Sequence, residues 1–213
     1  ITSLTKKMAL LAENGISHTI ILPFNQELAA MEAENFVRNI LVDRLHAKAV
    51  VIGENASFGN DRRGNYALLR VLGHTLAEEK AGRGFTVRAV PRVRTNNKTV
   101  SSGLIRDLLQ AGQMTAAAEL LGRFHSIDGP VIHGHHRGRE LGFPTANIPP
   151  GEDLIPPDGV YAAWVKLGGL YYPGVVSIGT NPTFGDDGIR IETHILNFSQ
   201  DIYGQELSLL FAE

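Results

Sequence analysis

The stretch GVYAAWVKLGGLYYPGVVSIG, residues 159–179, decides the architecture of the second half of the chain. Two β-type runs flank Gly168-Gly169, a pair suited to a tight two-residue turn, so the stretch reads as an antiparallel hairpin. Further short runs lie on both sides, divided by Gly and Pro: SIDGPVIHG (126–134), IRIETHILNF (189–198) and ELSLLF (206–211). Strands this closely spaced, with no helical pattern between them, predict a small six-stranded antiparallel barrel.

Before Gly122 the rhythm is different. LTKKMALLAE (4–13) places Leu4, Met8 and Leu11 at helical spacing, and HTIILPF (18–24) follows as a short apolar strand. AENFVRNILVDRL (33–45) puts Phe36, Val37, Ile40, Leu41 and Leu45 on one helical face, ahead of the strand AKAVVIG (47–53). A helix over 66–79, a strand over 85–94 and a helix over 103–110 complete the alternation. Apolar strands alternating with helices predict a Rossmann-like parallel sheet covered on both faces. The expected organisation is therefore an α/β domain over residues 1–122 followed by an all-β barrel domain over 123–213.

Composition narrows the partners. The 213 residues carry 20 Lys+Arg against 22 Asp+Glu, with 43% hydrophobic content, which suits two modest globular domains. That balance gives no electrostatic bias toward nucleic acid or lipid, so neither is an expected partner. The absence of Cys excludes disulfides, iron–sulfur clusters and thiolate zinc sites, and fits a reducing, cytoplasmic location. No apolar run approaches the roughly 20 residues that span a bilayer. The chain begins at Ile1 and ends just after an apolar run, so it is expected to be an internal piece of a longer protein.

Four stretches hold candidate chemistry. In TVSSGLIRDLL (99–109), Ser101 and Ser102 precede the helical pattern Leu104, Ile105, Leu108 and Leu109. A helix N-cap is one reading, worth about 1 kcal/mol. Arg106 in the first turn opposes the helix dipole by about 0.3–1 kcal/mol unless an anion lies alongside. A phosphate cradle of hydroxyls, free N–H groups and a guanidinium is the other reading, and spacing leaves both open. In GENASFG (53–59), Asn55 and Phe58 offer a hydrogen bond and a stacking surface at the end of a strand, or belong to an ordinary turn.

The third stretch is HGHHRGRELGFPTANIPP (133–150). If the chain is extended between anchors at Phe143 and Ile148, Thr145 and Asn147 point the same way. Their hydroxyl and amide oxygens are hard donors that suit Mg²⁺ bound to a phosphate. The glycines allow close backbone approach, and Arg137 and Arg139 supply anion partners; a Pro-rich turn is the competing reading. His133, His135 and His136 form only a weak zinc signature. In the fourth, IRIETHIL, Ile189, Ile191, Thr193 and Ile195 share one strand face and Arg190, Glu192 and His194 the other. Glu192 is either part of a solvated face or a general base for a hydroxyl nucleophile.

Taken in order, these motifs resemble the bacterial bifunctional riboflavin kinase/FMN adenylyltransferase family, often called FAD synthetase. VVIGENASFG is similar to the flavin-side loop of the adenylyltransferase module, and VSSGLIRDLLQAGQMTAAAELLGR to its Ser-Ser-Thr-x-x-Arg phosphate motif. VIHGHHRGRELGFPTANI resembles the hallmark of the kinase module; GVYAAWV, VVSIGTNPTF, IETHIL and YGQELSL resemble its later strands.

The resemblance implies that Thr145 and Asn147 hold Mg²⁺ and nucleotide phosphates, with Gly134, Gly138 and Arg139 in a flap over ATP. It implies that Glu192 takes the proton of the riboflavin 5′-hydroxyl as that oxygen attacks the γ-phosphorus, giving FMN. Ser101, Ser102 and Arg106 would steady a second ATP whose α-phosphorus FMN attacks, giving FAD and pyrophosphate, with Asn55 and Phe58 on the flavin. Gly103 stands where the family usually has Thr or Ser, Ala56 where an aromatic is usual, and no H-x-G-H motif occurs. The family's first strand and last helix are also expected to be missing. Two alternatives follow: a riboflavin kinase with a degenerate first domain, or a non-catalytic flavin- or nucleotide-binding regulator.

Overall fold

The computed structural model describes residues 1–79, 82–95, 97–134, 143–181 and 186–213. Its helices and strands in chain order are α1 (Leu4–Glu13), α2 (Gln26–Ala30), α3 (Ala33–Phe36), a π-helical turn (Val37–Arg44), β1 (Ala49–Gly53), a 3₁₀ turn (Asn60–Arg62), α4 (Tyr66–Glu79) and β2 (Thr86–Val90). Then come β3 (Arg94–Thr95), β4 (Lys98–Thr99), α5 (Ser102–Gln110), α6 (Met114–Leu121), β5 (His125–Pro130), β6 (Ala146–Ile148), β7 (Gly159–Leu167), β8 (Leu170–Asn181), β9 (Asp186–Ile195) and β10 (Glu206–Phe211). The chain divides into two compact units, His18–Arg94 and the combination of Ile1–Ser17 with Thr95–Glu213.

In the His18–Arg94 unit, β1 and β2 pair in parallel from Ala49↔Thr86 to Gly53↔Val90. Val37, Val42, Leu69, Leu72, Leu76 and Phe85 form its core, with Val50, Ile52 and Val87 packed against it. On the opposite face of the sheet Val51 and Val90 are exposed, so among the described residues of this unit helices cover one face where the pattern predicts two. β2 stops at Val90 because Pro91 has no N–H to continue a ladder.

Two expectations are corrected here. The run HTIILPF is irregular, with Ile20, Ile21, Leu22 and Phe24 exposed, because no described strand pairs with it to satisfy its backbone. The helix beginning at Ala33 widens to π geometry, as in Leu45 N–H donating to Ile40 O. That widening shifts the phase of the helical stripe, leaving Val42 buried and Leu45 exposed.

The other unit is built on a six-stranded antiparallel sheet of order β5-β10-β7-β8-β9-β6. An antiparallel bridge between Ile132 and Asn147 joins the chain leaving β5 to β6, so the two edges of the sheet meet as a barrel. The hairpin read from residues 159–179 forms with Leu167↔Leu170 as its last pair, and Gly168 and Gly169 take φ of +56° and +86°. Those left-handed angles suit glycine and match the twist of the flanking strands. The sixth strand, β6, lies inside the stretch 133–150, where the chain is extended between Phe143 and Ile148 rather than a Pro-rich turn.

Alternation fills the barrel. Tyr161, Ala163, Val165 and Leu167 are buried along β7, and Leu207, Leu209 and Phe211 along β10. Ile105, Leu108 and Leu109 of α5 and Met114 and Ala117 of α6 join the same core. Each large side chain fully buried there stabilises the fold by about 1.5–3 kcal/mol.

α1 is held differently from its apolar pattern: it has no buried residue, and Leu4 is exposed. Its anchor is Lys6, whose Nζ donates to Ser126 O at 2.6 Å and lies 3.1 Å from both Asp153 Oδ2 and Asp128 Oδ2. Ser3 N–H donates to Asp153 Oδ1 at 2.7 Å. Burial tends to raise the Asp153 pKa, but the bonds from Ser3 and Lys6 outweigh it and hold the carboxyl below its ordinary value.

Candidate active site

β6 and β9 pair antiparallel as Ala146↔Thr193, Asn147↔Glu192 and Ile148↔Ile191. Ala146, Ile148, Ile191 and Thr193 are buried, so Asn147 and Glu192 lie on the other face. Side chains directly opposite in such a pair start from Cβ atoms about 4.5–5.5 Å apart. On its other side Glu192 pairs with Ser177 of β8, giving a polar row Asn147–Glu192–Ser177 across three strands. Among the described residues no cation forms an ion pair with Glu192.

The approach to Asn147 depends on a glycine. A Cβ built at Gly134 would lie 2.6 Å from Asn147 Cγ, so any larger residue would displace the amide. On the same side, His194 Nδ1 donates to Pro144 O at 2.9 Å and its ring meets Phe143 edge-on at 5.6 Å. This fixes the peptide leading into Thr145. Phe143 is 64% exposed, so Ile148 alone is the apolar anchor expected of the pair.

A cavity of about 280 Å³ opens beside this row. Gly134, Thr145, Asn147 and Thr193 contribute to its wall, together with residues 198–203, whose Tyr203 stacks on His133 at 3.9 Å. Glu192 is not on that wall. Asn147 therefore belongs both to the cavity and to the row carrying the carboxylate. The donors are a hydroxyl, an amide oxygen and a carboxylate, all hard oxygens of the kind Mg²⁺ takes, so the residues fit that ion. Among the described residues no cluster of three His, Cys, Asp or Glu is placed to hold a metal.

Thr193 was not read as a site residue. It is 0% exposed, and its Oγ1 has no hydrogen-bond partner. An unpaired buried hydroxyl costs about 1–3 kcal/mol. The available signal was a single polar residue on an otherwise isoleucine face. Residues 198–203 had no signal of their own, because their place in the wall depends on how the chain leaves β9.

The remaining sequence candidates lie elsewhere. Ser101 caps α5, its Oγ accepting from Leu104 N–H at 3.2 Å. Arg106 is the fifth residue of α5 and so stands just past the first turn, one turn above Ser102 on an exposed face. Asn55 and Phe58 belong to the His18–Arg94 unit. Asn55 is exposed, while the Phe58 ring packs 5.7 Å from Phe36 and leaves no room for a Cβ at Gly64. Gly138, Arg139, Arg137, His135 and His136 lie outside the described residues.

The family model described as riboflavin kinase matches residues 121–213, and the one described as FAD synthetase matches residues 1–104. The bifunctional riboflavin kinase/FMN adenylyltransferase of Pseudomonas fluorescens is 36% identical over 210 residues, 98% of this chain and 65% of its own. The chain is thus similar over nearly its whole length to the bifunctional riboflavin kinase/FMN adenylyltransferase family. Other members of that family are similarly close. The protein of that description from Escherichia coli K12 is 34% identical, covering 99% of this chain and 65% of its own, and that of Listeria monocytogenes is 37% identical, covering 98% and 64%. The chain thus spans 65% of the length of the first two relatives. A crystal structure described as a macrolide-efflux protein from Streptococcus pneumoniae superposes with a TM-score of 0.83 at 29% identity, covering 99% of this chain and 66% of that one. Among the described residues no helix is long and apolar enough to cross a membrane.

Proposed function

We propose that this chain carries a riboflavin kinase site, which transfers the γ-phosphoryl group of ATP to the 5′-hydroxyl of riboflavin, and that the complete protein also adenylylates FMN to FAD with release of pyrophosphate. The observation that supports this reading best is the register pair Asn147↔Glu192 beside the cavity. ATP occupies the cavity, its phosphates reaching the rim at Thr145 and Asn147. Riboflavin presents its hydroxyl on the Glu192 side. Asn147 stands between the two, so donor and acceptor meet at one strand pair.

Thr145 and Asn147 would hold Mg²⁺, which when bound neutralises charge on the phosphates. The Glu192 carboxylate accepts the hydroxyl proton as the oxygen attacks the γ-phosphorus in line with departing ADP. Gly134 lets the backbone lie against the Asn147 amide and fixes where that amide oxygen sits. Gly138 and Arg139 extend the cover over ATP in this reading. Ser101, Ser102 and Arg106 bind the phosphates of the second ATP and Asn55 and Phe58 the flavin, in an adenylyltransferase module over 1–122 that precedes the kinase module over 123–213. The protein acts in the cytoplasm on small molecules.

The test is Glu192→Gln assayed for FMN formation with riboflavin and Mg-ATP. The variant is expected to lose FMN formation by about 10²–10⁴-fold while still binding Mg-ATP. Unchanged FMN formation would remove the base assignment. A wild-type chain that makes no FMN would remove the kinase reading for this chain.

A further inference from the structure

β6 pairs with β9 only over Ala146, Asn147 and Ile148, so Thr145 stands one residue before the ladder begins. The register carried one step further sets Thr145 opposite His194, on the face that also holds Asn147 and Glu192. The residue before it cannot donate a ladder bond, because Pro144 has no N–H. Proline also fixes its own φ at about −65°, which leaves the ψ of Pro144 as the soft angle that turns the Pro144–Thr145 peptide plane. The His194 ring acts on that plane, with its Nδ1 2.9 Å from Pro144 O. A carbonyl can only accept, so Nδ1 carries the proton and donates. The ring is itself held, edge-on to Phe143 at 5.6 Å and opposite Val175 of β8 in the register.

Pro144 and Thr145 both line the cavity, and Thr145 is a ligand of phosphate and Mg²⁺ in the reading above. We infer that His194 is a positioning residue of the kinase site: through the Pro144 carbonyl it sets the peptide plane that presents the Thr145 hydroxyl to the nucleotide phosphates. This role rests on the proposed place of Thr145 at those phosphates. His194 also lies two residues from Glu192 on the same strand face, where proton transfer is the competing role. The two roles differ in what can replace the ring. An Asn side chain puts its amide nitrogen where Nδ1 stands and can donate to Pro144 O, but it cannot carry a proton to or from a substrate.

His194→Leu, His194→Asn and Thr145→Ala in the 213-residue chain test it, with Mg-ATP and riboflavin as separate probes in equilibrium binding. His194→Leu is expected to weaken Mg-ATP about threefold to tenfold, the value of one hydrogen bond lost at the phosphates, and to leave riboflavin affinity at the wild-type level. In turnover the same factor falls on KM for Mg-ATP. His194→Asn is expected to restore both. In a Thr145→Ala background His194→Leu is expected to weaken Mg-ATP no further, because the hydroxyl it positions is gone. Equal losses from His194→Leu in the two backgrounds, or no loss in either, overturn the assignment while leaving the kinase reading intact. An Asn variant as weak as the Leu variant does the same, since the ring then acts as more than a donor to Pro144. If His194→Leu shows no cooperative unfolding transition, the Asn variant decides alone: wild-type Mg-ATP affinity supports the assignment and weakened affinity overturns it. Wild-type Mg-ATP affinity in Thr145→Ala overturns it together with the proposed place of Thr145. A wild-type chain that binds no Mg-ATP removes both the assignment and the kinase reading.

Discussion

His125 lies in β5 with its ring buried, and its Nε2 is 2.7 Å from the Leu154 carbonyl. A carbonyl can only accept, so Nε2 carries the proton of the neutral ring and Nδ1 is bare. Nδ1 is buried with no partner, so a second proton would enter an unsolvated site stacked on Phe211. Burial accordingly pushes the pKa from 6.5 down to about 4; Lys6 and Arg123 add to the fall, and the Leu154 carbonyl and Asp153 oppose it. The sign follows directly. Between pH 6.5 and 4 the unfolded chain takes up a proton that the folded chain refuses, so stability falls as pH falls through this window. At about 1.4 kcal/mol per pH unit the full loss is about 3 kcal/mol, a large share of the 5–15 kcal/mol typical of a domain.

The assay is urea unfolding at several pH values from 7.5 to 4 for wild type and His125→Gln. The glutamine amide can still donate to Leu154 O but does not titrate. Wild type is expected to lose about 3 kcal/mol more than the variant across that window. Asp153, whose carboxyl is held below its ordinary 3.8, keeps its contribution above that pH and loses it only on further acidification, so it does not blur the comparison. Parallel stability curves for the two proteins, or an NMR titration of the His125 ring with a midpoint near 6.5, would refute the reasoning.

Gly134→Ala is expected to leave the fold intact, because the atoms its Cβ meets are the movable end of Asn147. FMN formation should fall by about a hundredfold, since misplacement of a positioning group by about 1 Å has that effect; full activity in the alanine variant would show that the amide's position is not required. Lys6→Met strands the buried Asp153 carboxylate and is expected to cost about 3 kcal/mol in chemical unfolding, with Lys6→Met/Asp153→Leu recovering much of it. A double variant as unstable as the single one would contradict that account. Ser101→Ala removes the α5 cap and should cost about 1 kcal/mol in unfolding free energy, with no loss of barrel strand content by circular dichroism.

Much of this fold was legible because it follows from short-range rules. Gly168-Gly169 between two β-type runs fixes a hairpin through backbone sterics, and α4 matches the predicted 66–79 without displacement. Ser101 reads as a cap from its own side chain and the N–H three residues on. The alternation of IRIETHI sets Glu192 and Thr193 on opposite faces before any partner strand is known. Where local pattern failed, the reason was a missing or unforeseen neighbour. HTIILPF has strand chemistry and no described strand beside it; α1 has an apolar stripe, yet a lysine between two aspartates distant in sequence holds it.

The candidate site divides along the same line. The sequence determined which residue types were available: a hydroxyl, an amide, a carboxylate and a glycine-rich approach. Only tertiary structure decided that Asn147 faces Glu192, that Gly134 lies against the amide, and that Thr193 keeps an unpaired hydroxyl beside a cavity. Side-chain period is set by neighbouring peptide units, so one chain segment suffices to read it. At this site, strand register and burial are set by contacts between residues 13 to 47 positions apart, as in Gly134–Asn147 and Ile132–Asn147 at the short end and Glu192–Asn147 and Thr193–Ala146 at the long end. No local stretch contains that information.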